Sequence, residues 1–163
     1  MKKIMKKTLI ALMLFVGMNA QAQEVYNELR KSNKAVVENP NAHTLARHIS
    51  QFKLDALDYL AIKMQEDMPD STVYFLDRQA MAMDNYVQLY IKKLVEYNNL
   101  PQNMIDEMTK MFMETSKNTP LFKDKDKEMT LNYYASGESL IRFSLDCDWE
   151  KAYAIIEKKI NKK

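Results

Sequence analysis

The sequence predicts an all-α fold, and three observations carry that prediction. Beyond the first 22 residues the only glycine is Gly137. Pro40, Pro69, Pro101 and Pro120 fall between segments of apolar periodicity rather than inside them. One such segment, residues 71–98, repeats Val73, Leu76, Ala80, Met83, Val87, Tyr90, Leu94 and Tyr97 at gaps of three and four, which is one face of a 3.6-residue helix. Tyr86, Ile91 and Met81 widen that face, so this helix is expected to have neighbours on more than one side and to organise the others. The expected architecture is an antiparallel bundle of five to six helices with long central members.

The chain opens with the pattern of a secretory signal peptide. Lys2, Lys3, Lys6 and Lys7 precede a short apolar run from Thr8 to Met18, and Ala20-Gln21-Ala22 fits small-residue cleavage, leaving Gln23 as the new terminus. Met5 begins a second Met-Lys-Lys and is an alternative start. The apolar run is shorter than the ~20 residues a membrane span needs. Residues 23–163 are then expected to form a single all-helical domain. The signal holds four of the 24 basic residues and no acid, so the remainder carries 20 Lys+Arg against 22 Asp+Glu. A net charge of −2 with interspersed signs offers no electrostatic case for nucleic acid. Cys147 is the sole cysteine, so no internal disulfide exists. It is read as a small buried hydrophobe rather than a reactive thiol.

Taken in order, residues 24–38 form a first helix with a poor apolar face of Val25, Leu29, Val36 and Val37. Asn39-Pro40-Asn41 breaks it, with Asn41 able to cap the next helix. Helix two, 42–66, has one stripe of Leu45, Ile49, Phe52, Ala56 and Leu60 and a second of Leu54, Leu57, Ala61 and Met64. Met68-Pro69-Asp70-Ser71 supplies the next break, with Asp70 or Ser71 as cap of the central helix. Asn98-Asn99 suits its end through the left-handed conformation, and Pro101 suits the start of helix four, 101–117. That helix is expected to bury Met104, Ile105, Met108, Met111 and Phe112. Lys123 to Glu128 alternates in sign and is expected to be solvated. Helix five is expected from about 126 to Leu145, offering Tyr133, Tyr134, Leu140, Ile141 and Phe143 to the core, with a kink or close crossing at Gly137. Asp148 caps the last helix, whose inner face is Trp149, Ala152, Tyr153, Ile156 and Ile160.

A faint internal echo recurs at an offset of 29 residues: Pro40, Asp55, Leu60, Ile62 and Lys63 against Pro69, Asp84, Leu89, Ile91 and Lys92. Asp148 to Tyr153 also resembles the turn into the second helix of a tetratricopeptide repeat. A stacked array of helical hairpins is therefore the alternative architecture.

Chemistry-bearing constellations are sparse. His43 and His48, five residues apart, project about 140° apart on a helix and cannot share a metal without help. There is no Glu-x-x-His pair, nucleophile elbow or Gly-rich phosphate loop, and the balance is against an enzyme, a cofactor or a metal site. Nine methionines follow the signal. Met104, Met108 and Met111 share one face of helix four, which reads as core first and as a flexible partner groove second. Of the nine tyrosines, Tyr74, Tyr86, Tyr90, Tyr97, Tyr133, Tyr134 and Tyr153 cannot all be fully buried, and tyrosine suits interfaces. Met104, Met108, Met111, Tyr86 and Tyr90 are thus the candidate partner-binding residues.

The Met-Lys-Lys opening, the Ala20 to Gln23 signal end and the Met- and Tyr-rich body resemble the small exported helical proteins of unknown function of Bacteroides-type bacteria. That resemblance implies a periplasmic or secreted location and brings no activity or site residues. The function expected is a non-enzymatic protein- or peptide-binding or scaffold module of the cell envelope, with no membrane span once the signal is cleaved. The alternative is a carrier of a small hydrophobic ligand in a cavity between helices two, three and four.

Overall fold

The computed structural model describes residues 25–125, 130 and 140–161. Five helices form among them: α1 (Val25–Glu38), α2 (Thr44–Asp67), α3 (Val73–Tyr97), α4 (Gln102–Lys117) and α5 (Trp149–Asn161). The fold is all-α, and the described residues contain no strand. The helix breaks fall at the prolines, as expected.

The capping residues differ from those expected. His43, not Asn41, caps α2, its Nδ1 accepting the Leu45 N–H at 3.2 Å. The Asn39 side chain instead takes the Asn41 N–H and tightens the turn. Thr72, not Asp70 or Ser71, caps α3 by accepting from Phe75 N–H. The α3 end stays right-handed at Asn98 and closes through Leu100 N–H to the Tyr97 carbonyl, so no left-handed asparagine is required. Asp148 does cap α5, accepting from Lys151 N–H at 3.2 Å.

The α3 helix packs against all four others, and α1 pairs with α2 and α4 with α5. Direction follows from the side-chain contacts. Tyr86 reaches Phe112 and Tyr90 reaches Thr109, so rising numbers on α3 meet falling numbers on α4. These two helices are antiparallel. Pairing among helices one or two places apart along the chain suits a bundle and a hairpin array alike. At 24 and 25 residues, however, α2 and α3 together exceed a tetratricopeptide unit of about 34 residues.

The core lies where α2, α3, α4 and α5 converge. Ile49, Phe52, Ala56, Leu57 and Leu60 of α2 meet Ala80, Met83, Tyr86, Val87 and Tyr90 of α3. On the predicted face of α3, Ala80, Met83, Tyr86, Val87, Tyr90 and Ile91 are buried, whereas Met81 is 50% exposed. The two stripes of α2 are occupied, although Leu54 and Ala61 are only half-buried.

A buried ion pair sits between α2 and α3. Lys53 Nζ lies 2.6 Å from Asp84 Oδ1, both side chains nearly enclosed, and the Gln88 amide donates to the other Asp84 oxygen. Desolvating two charges offsets much of their attraction, so this pair fixes how α2 sits on α3 more than it adds stability. Lys53→Met is expected to destabilise the protein by about 3–5 kcal/mol, because it strands the Asp84 charge. Lys53→Met combined with Asp84→Leu should return close to the wild-type value. Urea unfolding of the two single variants and the double variant measures this.

Candidate functional site

The expected fifth helix is where the structure departs most from the sequence reading. Residues 126–129 and 131–139, with Tyr133, Tyr134 and Gly137, lie outside the described residues. The expected tail, Leu140 to Leu145, is not helical. Its apolar residues alternate instead: Ile141, Phe143, Leu145 and Cys147 are all buried. Ser144 and Asp146 between them are buried as well, so this non-helical segment threads the core rather than lying on it with one face outward. Short polar residues between them compete with the helix for backbone partners, as when Ser144 Oγ donates to the Asp146 carbonyl.

An extended segment inside a core must find partners for its amides and carbonyls. Ser144 N–H donates to Ser116 Oγ, Leu145 N–H to the Thr130 carbonyl, and Asp148 N–H to the Thr119 carbonyl at 2.7 Å. Asp146, 4% exposed, provides the strongest tie. Its carboxylate accepts three backbone amides, from Leu121 and Phe122 at 2.9 Å and from Asp124 at 2.8 Å. The adjacent Lys123 holds φ at 55°, a left-handed conformation that costs about 1–2 kcal/mol outside glycine. Asp124 is not solvated as expected: Tyr59 donates to it at 2.9 Å and Lys63 Nζ lies 3.9 Å away.

The segment delivers Phe143 into an aromatic cluster. Its ring meets Phe52 at 5.8 Å, Tyr86 at 5.2 Å and Tyr90 at 5.1 Å, edge to face in each case. Phe112 and Trp149 complete the group. These rings occupy the space between α2, α3 and α4.

The cluster absorbs two residues expected at a partner surface. Tyr86 and Tyr90 are 0% and 1% exposed. Full burial is tolerable because their hydroxyls are satisfied, Tyr86 by the Phe112 carbonyl at 2.6 Å and Tyr90 by the Leu140 carbonyl at 3.2 Å. Met108 is buried and Met111 packs partly buried against the core. Met104 is 38% exposed, beside Leu100 at the α3–α4 turn, and does not join the core as the stripe implied.

Cys147 is fully buried with its sulfur 3.5 Å from Thr119 Oγ1. Burial pushes its thiol well above the ordinary range, and the nearby Asp148 and Asp146 charges push the same way. His43 is engaged as a cap and His48 is exposed. No group of three metal-ligating side chains occurs among the described residues, and no helix among them is long and apolar enough to cross a membrane.

At the surface, an open groove of about 430 Å³ runs along α4. Asp106, Thr109, Lys110, Met113, Glu114 and Lys117 form one wall and Arg142 of the extended segment stands opposite. Beneath it, the Tyr90 hydroxyl reaches Thr109 Oγ1 at 3.4 Å. Burial raises the Tyr90 pKa, while the Thr109 hydrogen bond and the Arg142 charge oppose the rise. Arg142 Nε is closed off from solvent with no hydrogen-bond partner. The sequence reading missed Arg142; only the alternation of Ile141 and Phe143 around it could have marked it as outward-facing. No protein family, curated protein or solved structure matches this chain.

Two outcomes follow for the buried groups. Cys147 should resist iodoacetamide in the native protein and react fully once unfolded in urea, read by intact mass. Burial, reinforced by Asp124, also raises the Tyr59 pKa far above its ordinary value. The folded state thus favours neutral Tyr59. Its contribution is complete below the unfolded value of about 10 and is lost as pH rises beyond it. Unfolding free energy measured between about pH 8 and 11 should fall more steeply for wild type than for Tyr59→Phe.

Proposed function

We propose that this chain is an exported, non-enzymatic helical module that binds a protein or peptide partner in the cell envelope. The export reading rests on the lysines before Thr8 and on Ala20-Gln21-Ala22. The binding reading rests on the α4 groove, where charged, hydroxyl and thioether side chains line one open channel. Six of the seven groove residues span about three turns of α4 and the seventh, Arg142, comes from the non-helical segment, a shape suited to a peptide rather than a small apolar molecule. The rings of Phe52, Tyr86, Tyr90, Phe112, Phe143 and Trp149 pack against one another at the centre of the described core, which favours a surface partner over an enclosed ligand.

The test is in-cell crosslinking of the full-length chain carrying a C-terminal tag, followed by cell fractionation and mass spectrometry. The expected result is a mature terminus at Gln23 in the envelope or medium, and one reproducible partner crosslinked through α4. Retention of residues 1–22 on cytoplasmic protein would overturn the export reading. The lack of any reproducible partner would overturn the binding reading.

A further inference from the structure

The α4 groove carries a specific chemical preference. Its charged residues alternate along one helix face, Asp106, Lys110, Glu114 and Lys117, and Arg142 faces them. Both acids already have partners: Asp106 accepts from the Gln102 amide at 2.8 Å, and Glu114 lies 3.8 Å from Lys110. Arg142 has none, for no hydrogen bond or ion pair to it occurs among the described residues. Its Nε is shut off from solvent with no partner among the described residues, and the planar fork of a guanidinium matches a carboxylate at two points.

The position of Arg142 along the groove narrows the ligand further. The extended segment runs beside α4, with Leu140 joined through Tyr90 to Thr109 and Ser144 joined to Ser116. Arg142 therefore stands near the middle of a wall that runs about 16 Å from Asp106 to Lys117. That length matches about five extended residues. A charge at mid-groove suits an acidic side chain within a peptide, since a chain terminus bound there would leave half the groove empty. The two flanking acids disfavour a densely anionic ligand such as nucleic acid or polyphosphate.

Resting on the binding function proposed above, we propose that the groove between α4 and Arg142 receives an extended peptide segment and that Arg142 clamps an internal Asp or Glu carboxylate of it. Lys110 and Lys117 then add attraction on either side, and Met113 provides an apolar contact.

The probes are two fluorescent nonapeptides blocked at both ends, of Gly, Ser and Leu around a central Glu or a central Gln, and their binding to the purified protein is read by anisotropy. The Glu peptide should bind about tenfold more tightly than the Gln peptide, and about 0.5 M salt should erode the difference. Arg142→Ala should abolish the preference and Arg142→Lys should keep part of it. Lys110→Gln, at an exposed position of α4, should also weaken the Glu peptide. Equal binding of the two peptides, a preference that survives Arg142→Ala, or tighter binding of a Gln peptide with a free C-terminal carboxylate would overturn the proposal. The two failures separate. A protein that captures a partner in cells yet shows no Glu preference overturns the carboxylate clamp alone, whereas no partner and no peptide binding overturns both readings.

Discussion

Three backbone amides converging on the Asp146 carboxylate allow this fold to run a non-helical segment through its core. Helices satisfy their own backbone groups, but an extended segment cannot. Asp146 exchanges that liability for a tie, drawing the amides of Leu121, Phe122 and Asp124 onto one carboxylate. Hydrogen bonds to an ionised acceptor contribute about 1.5–3 kcal/mol each, more than neutral ones. The loop that follows α4 is thereby folded onto the segment that precedes α5. Phe143 then sits among Phe52, Tyr86, Tyr90 and Phe112, while the next two amides find Ser116 Oγ and the Thr130 carbonyl.

Consequences propagate to α5. Two residues beyond Asp146, Asp148 both caps α5 and accepts from the Gln79 amide at 3.1 Å, while the carbonyl oxygen of Gln79 takes the Trp149 N–H at 2.8 Å. One glutamine on α3 thus sets where α5 begins, and Trp149 falls into the aromatic cluster because of it. The path from Asp146 to Asp148 to Gln79 joins the irregular segment to the helix that touches every other helix. On the opposite flank the Lys53–Asp84 pair performs the same positioning for α2.

Periodicity and prolines make most of the helical framework legible in the sequence. Pro40, Pro69 and Pro101 mark the ends, and the face from Leu76 to Tyr97 marks α3 as the centre. The features that escaped are those decided by distant partners. Tyr86 and Tyr90 look like interface residues only while the Phe112 and Leu140 carbonyls that satisfy their hydroxyls are unknown. Asp124 looks solvated until Tyr59, far away in sequence, is placed beside it. Caps escaped for a subtler reason: Asn41, Asp70 and Ser71 have good capping chemistry, but the cap falls to the residue whose backbone is extended at the helix start, and those are His43 and Thr72.

The extended segment also explains why its one cation faces the surface groove. Ile141 and Phe143 are buried in the core, and Arg142 between them is half-buried and lines the groove along α4. Read as a helix, Leu140, Ile141 and Phe143 form a core stripe and Arg142 becomes one more solvated charge. In the non-helical segment held by Asp146, the same residues build both the centre of the core and one wall of a groove. The tie that closes the interior is therefore also what presents the guanidinium at the groove.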